Sequence, residues 1–128
     1  MTKYENIIHW KQVEPVEMFP GFFRRTLAIT DSMMIVEFRA LAGASVPEHQ
    51  HPHEQTGYVV EGQMNLTIDG QTVTVIEGDS YAIPGGVLHG AEFDVDCVII
   101  DCFSPPREDY MPPKPAEKPA KGPDSKYK

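Results

Sequence analysis

Short alternating runs, each closed by a turn residue, constrain this chain more than any other feature. Glycine and proline punctuate it so closely that no amphipathic pattern longer than two helical turns fits between them. RRTLAIT and MMIVEFRAL alternate with period two on either side of a turn-like TDS. Residues 63–68 set Met64, Leu66 and Ile68 against Asn65 and Thr67, and residues 72–76 place Val73 and Val75 on one face. Asp69-Gly70 joins these two runs, the strongest short signal for a β-hairpin, because a type I′ turn needs positive φ at both central residues. DSYAIP, VLHGAEF and VDCVIIDCF continue the series. Many short strands at near-even spacing predict an all-β barrel or sandwich.

After Tyr110 the pattern stops. Residues 111–128 hold five prolines, five lysines and almost no large apolar side chain, so they are expected to form a flexible Pro/Lys-rich tail behind a single β domain over residues 1–110. The formal charge is −8; the tail carries +3, which leaves −11 on residues 1–110. A body that acidic repels phosphate backbones and anionic membranes, so neither nucleic acid nor membrane is expected as a partner. No apolar run approaches the roughly 20 residues that span a bilayer, and the N-terminus lacks the order of a secretory signal. Cys97 and Cys102 stand five apart, so in one strand they point to opposite faces and do not bridge; free thiols fit a cytoplasmic protein.

Residues 47–62, PEHQHPHEQTGYVVEG, place His49, His51 and His53 within five positions and Gln55 just beyond. All four share parity, so an extended segment would carry them on one face, where neutral nitrogen and oxygen donors converge as metal ligation requires. A solvated polar loop is the competing reading of the same residues. The second informative stretch is CVIIDCFSPPREDY. Asp101 interrupts an apolar strand, where an unpaired carboxylate costs several kcal/mol unless it lines a wet cavity or caps the following turn. Arg107 follows a rigid Ser104-Pro105-Pro106 exit, and its fork suits either a substrate carboxylate or a surface pair with Glu108 or Asp109.

Two segments together resemble the cupin family. Its first motif, G-x5-H-x-H-x3/4-E-x6-G, is matched by Gly43, His49, His51, Gln55 and Gly62; its second, G-x5-P-x-G-x2-H-x3-N, by Gly78, Pro84, Gly86 and His89, with Phe93 in the last place. Fifteen residues separate Gly62 from Gly78, as in small bacterial cupins. The resemblance implies a jelly-roll-like double-stranded β-helix with a metal site in its lumen. It makes His49, His51, Gln55 and His89 the ligands of one divalent ion, which histidine and amide donors leave open as Zn, Ni, Mn, Co or Fe. Glu54 has the wrong parity and spacing to replace Gln55, and His53 falls outside the motif. Where the family pattern has glutamate, Gln55 leaves the full +2 charge on the ion, which favours anionic ligands and Lewis-acid work over oxygen activation.

The Gln-substituted motif and the run from Asp101 through Phe103 to Arg107 resemble the KdgF-type pectin-degradation cupins. That likeness implies conversion of 4,5-unsaturated monouronates, from pectin or alginate breakdown, into the linear 5-keto-4-deoxyuronate. It casts Asp101 and Arg107 as catalytic and Phe103 and Arg107 as substrate-binding. A metal-dependent lyase of dimethylsulfoniopropionate, for which Tyr58, Tyr81 and Tyr110 offer bases, and a non-enzymatic sugar- or metal-binding cupin are the rival readings. A homodimer is expected, because small cupins pair through their sheets and the apolar IIHW at residues 7–10 reads as an edge strand in need of cover.

Overall fold

The computed structural model describes residues 4–112 of the chain; the part of the expected tail beyond Pro112 lies outside the described residues. Ten strands follow in order: β1 (Val16–Phe19), β2 (Phe22–Ile29), β3 (Met34–Ala40), β4 (Ser45–His49), β5 (Glu54–Glu61), β6 (Gln63–Ile68), β7 (Gln71–Ile76), β8 (Ser80–Ile83), β9 (His89–Glu92) and β10 (Cys97–Ser104). Among the described residues, helix is confined to two 3-10 turns, Trp10–Gln12 and Glu108–Tyr110, and no helix is long and apolar enough to cross a membrane. Every paired strand is antiparallel, in a six-stranded sheet ordered β1-β2-β3-β10-β5-β8 and a four-stranded sheet ordered β4-β9-β6-β7. The hairpin expected at Asp69-Gly70 joins β6 to β7, with φ of 50° and 82° at its two central residues.

Strand β10 organises the interior. It lies between β3 and β5, and its period-two pattern buries Cys97, Ile99, Asp101 and Phe103 while Cys102 faces out. Both thiols are free, as their opposite parity requires. From β2 and β3, Phe22 and Phe38 stack with centroids 5.0 Å apart, and Phe93, just past the end of β9, stacks on Phe22 at 5.7 Å. This explains the departure at the last motif position: Phe93 is 2% exposed and closes the apolar floor beneath the cavity.

The IIHW segment forms no strand. Trp10 opens the first 3-10 turn and lies against the outside of β2 and β3, its ring under the guanidinium groups of Arg25 and Arg39 at 4.1 and 5.2 Å. Its indole N–H donates to Glu37 Oε1 at 2.8 Å, and Glu37 is buried with both arginines within salt-bridge distance. Side-chain contacts with charged groups, rather than strand pairing, hold this segment.

Truncating Phe93 to alanine removes a buried core ring that stacks on Phe22. The expected cost is about 3–5 kcal/mol, read as a lower denaturation midpoint with an unchanged strand signature in circular dichroism.

Candidate metal centre

The two histidine-bearing segments meet because β4 and β9 are neighbours. His49, at the end of β4, stands directly across from His89, the first residue of β9, with ring centroids 4.3 Å apart. The chain then leaves the four-stranded sheet, passes through residues 50–53 and enters the six-stranded sheet at β5. His51 sits in this crossing, 5.0 Å from the His89 ring and 5.6 Å from that of His49. The turn at Pro84-Gly85-Gly86 packs against it: Gly86 N–H donates to the His51 carbonyl at 2.7 Å, and a Cβ on Gly85 would lie 2.3 Å from the Pro52 oxygen. The donors therefore come from a strand end, a crossing and a second strand rather than from one extended segment. One ligand atom from each of His49, His51 and His89 falls within 4.8 Å of the others.

Backbone carbonyls set how each imidazole presents itself. Nδ1 of His49, His51 and His89 contacts the carbonyls of Pro47, His53 and Val87 at 2.9, 3.1 and 2.9 Å. A carbonyl only accepts, so each Nδ1 carries the hydrogen and each Nε2 keeps a free lone pair. The Nε2 atoms of His51 and His89 are buried without a partner. Burial, with the Arg107 charge next in size, holds the His51 pKa down to about 4, and burial lowers that of His89. Both stay neutral at physiological pH, as ligation demands.

Gln55, the fourth donor expected from the sequence, is held by Asp101. Its Nε2–H donates to Asp101 Oδ2 at 2.6 Å, which turns Oε1 away, and Oε1 is buried without a partner. Two imidazole lone pairs and an amide oxygen, all buried with nothing to accept from, suit a cation. A glutamate at position 55 would instead set two carboxylates against each other, and they could not both stay ionised. His53 is buried but outside the cluster; its ring packs edge-on against His51 at 5.4 Å, and its carbonyl is the one that orients His51. Glu54 is exposed.

Asp101 is 1% exposed and takes its second hydrogen bond from the Tyr81 hydroxyl, at 2.5 Å from Oδ1. Gly57 makes that contact possible. Asp101, Gly57 and Tyr81 face one another in register across β10, β5 and β8, and a Cβ on Gly57 would sit 2.2 Å from both Asp101 Oδ1 and the Tyr81 ring. A glycine inside a strand marks such a close approach, so Gly57 was the sequence signal for a pairing that local pattern did not otherwise suggest. Burial pushes the Asp101 pKa up to about 7 against the lowering effect of hydrogen bonds from Tyr81 and Gln55. Burial and the neighbouring Asp101 also raise the Tyr81 pKa, so its hydroxyl keeps its proton.

His49, His89, Gln55, Asp101 and Tyr81 line a cavity of about 360 Å³, with Phe103 and Arg107 also on its wall. Phe103 is buried edge-on to His51, 5.8 Å away. Arg107 lies 4.0 Å from the centre of the Tyr110 ring, and its fork is taken by Asp109, through Nε–Oδ1 at 3.3 Å and Nη2–Oδ2 at 2.9 Å. Arg107 thus borders the cavity and also makes the pair with Asp109.

A buried acid whose pKa stands above its unfolded value makes the folded state hold the extra proton between about pH 3.8 and 7, so stability falls as pH rises across that window. Asp101→Asn in metal-free protein should therefore be the more stable form above pH 7. The gain, on the order of a few kcal/mol, should shrink as pH falls towards 4. Paired thermal melts across this range check it, because the opposing contribution of His51 is common to both proteins.

Residues 36–103 match the family described as Cupin domain. The chain is similar, at 31% identity over 97 residues, to "Pectin degradation protein KdgF" of Dickeya dadantii (strain 3937), covering 74% of this chain and 88% of that protein. Among solved structures, an RmlC-like cupin from Shewanella frigidimarina NCIMB 400 superposes with a TM-score of 0.81 at 34% identity, covering 87% of this chain and 100% of its own. KdgF from Halomonas sp. superposes with a TM-score of 0.77 at 31% identity, covering 84% and 99%.

Proposed function

The chain belongs to the cupin family, and from that premise we propose that it is a metal-dependent enzyme of pectin or alginate breakdown that opens and ketonises 4,5-unsaturated monouronates. The observation that carries this reading is Asp101: a fully buried carboxylate, unpaired with any described cation, hydrogen-bonded to Gln55 and Tyr81 beside the histidine cluster. The 31% identity with a pectin degradation protein over most of both chains supports the substrate class.

His49, His51, His89 and Gln55 Oε1 would hold the ion. When bound, a divalent ion among four neutral donors supplies uncompensated positive charge for a developing anionic oxygen. The protein's own groups do the rest. Asp101 takes the proton from the C1 hydroxyl of the cyclic hemiacetal; the C1–ring-oxygen bond breaks, leaving an aldehyde at C1 and an enolate across C4 and C5. Asp101 returns the proton to C4, and the C5 ketone forms with no net gain or loss of atoms. A pKa pushed up to about 7 suits a group that must both accept and release a proton near neutrality. Gln55 and Tyr81 each donate to one carboxylate oxygen and so hold its orientation. Phe103 offers an apolar wall to the sugar face, and Arg107 lies where it would orient the acid group. We read the protein further as a cytoplasmic homodimer, with free thiols and with Tyr58 and Val60 exposed on the outer face of β5.

Metal-loaded protein should speed the loss of ultraviolet absorbance from the conjugated double bond of an unsaturated uronate. Asp101→Ala should cut that acceleration by on the order of 10²- to 10⁴-fold while retaining the ion, and chelation should remove it. A wild-type rate equal to the spontaneous one overturns the assignment. Dimethyl sulfide release from dimethylsulfoniopropionate would instead support a lyase.

A further inference from the structure

Arg24 lies on β2 with the inward parity of Phe22 and opposite the core residue Phe38, where an aliphatic or aromatic side chain would be expected. Its guanidinium carbon sits 4.5 Å from the centre of the Tyr110 ring, the same ring over which Arg107 lies at 4.0 Å. The β2 strand also holds Tyr110 directly, since Thr26 Oγ1 donates to its carbonyl at 2.7 Å.

The two arginines differ in what occupies them. Arg107 has its fork on Asp109. Arg24 has no carboxylate within salt-bridge distance among the described residues; Nη1 faces the Met18 sulfur at 3.9 Å, and Nε is buried without a partner. A thioether is a poor acceptor for a guanidinium. Both side chains that Arg24 touches, Met18 and Tyr110, line the metal-site cavity. Around the Tyr110 ring, two guanidinium groups share one paired carboxylate, Asp109, whose bonds go to Arg107.

We propose that Arg24 is the carboxylate-recognition residue of this cavity: the acid group of a uronate displaces the Met18 thioether and takes the donors that Asp109 leaves free, with Arg107 beside it across Tyr110. The inference rests on the uronate reading and deepens it, because it moves anion selection from the engaged arginine to the unengaged one. It also gives Met18 a role, as a flexible cover that yields to ligand. Arg24 acts here through binding and touches no bond that changes.

Galacturonate, which lacks the double bond and does not react, separates binding from turnover. Titrated calorimetrically into metal-loaded, full-length protein, it should bind wild type and lose about tenfold or more in affinity in Arg24→Met, the loss of one charge-assisted hydrogen bond. Arg24→Lys should fall between. With unsaturated uronate, Arg24→Met should raise KM by a similar factor and change kcat less than about twofold. Metal content should be the same in all three proteins. A galacturonate Kd in Arg24→Met within about twofold of wild type overturns the inference, as does a wild type that binds no galacturonate. A variant that only melts earlier while its folded fraction binds normally assigns Arg24 to packing on Tyr110, and also overturns it. If wild type binds galacturonate through Arg24 but does not accelerate ring opening, the proposed reaction fails and the carboxylate site stands.

Discussion

The hydrogen bond from Gln55 to Asp101 couples the two halves of this cavity. It fixes the amide so that nitrogen faces the carboxylate and leaves the oxygen buried without a partner. One neutral side chain thereby satisfies an acid on one side and offers a donor atom on the other. A carboxylate at position 55 could serve the ion but would repel Asp101; an apolar residue could serve neither. Much of the local architecture follows from the need to carry Asp101 in that setting. Gly57 gives up its side chain so that Tyr81 can cross it, and β8 is placed so that the hydroxyl arrives at the remaining carboxylate oxygen.

The same sheet buries a second acid in a different way. Glu37, on the outer face of β3, is flanked by Arg25 and Arg39 and receives the Trp10 N–H. That carboxylate is neutralised by cations, and the cluster ties the N-terminal segment to the sheet. Asp101 is given donors but no cation, so burial dominates and its proton affinity rises. Such an arrangement lowers stability near neutral pH, whereas the paired Glu37 carries cations to offset its burial.

Arg107 and Phe103 show how far the local reading of a motif reaches. Both lie on the cavity wall, and the Arg107 fork rests on Asp109, the surface pairing that the sequence also allowed. His53 shared the parity of the other histidines but lies outside their cluster and meets it through its carbonyl, which His51 Nδ1 contacts; past His49 the chain leaves β4, so the shared-face argument no longer decides which ring is brought in. IIHW read as an edge strand from its apolar character, whereas the Trp10 ring finds its cover on two arginine side chains. In each case the local pattern identified a side chain with something to bury or bind, and contacts distant in sequence chose the partner.

What the sequence determined by itself was whatever has a short range. Alternation with period two marked the strands, positive-φ demand at Asp69-Gly70 marked the hairpin, and the motif resemblance singled out His49, His51 and His89, which the fold brings together. Tertiary structure alone decided the alignment of β5 with β8 and β10, which brings Gln55, Asp101 and Tyr81 together, and the contact of β2 with Tyr110, which brings Arg24 against a ring of the cavity wall. The physical reason is register. A slip of one residue between strands far apart in sequence would send every one of these side chains to the opposite face, and no local pattern records which pairing the packed interior selects.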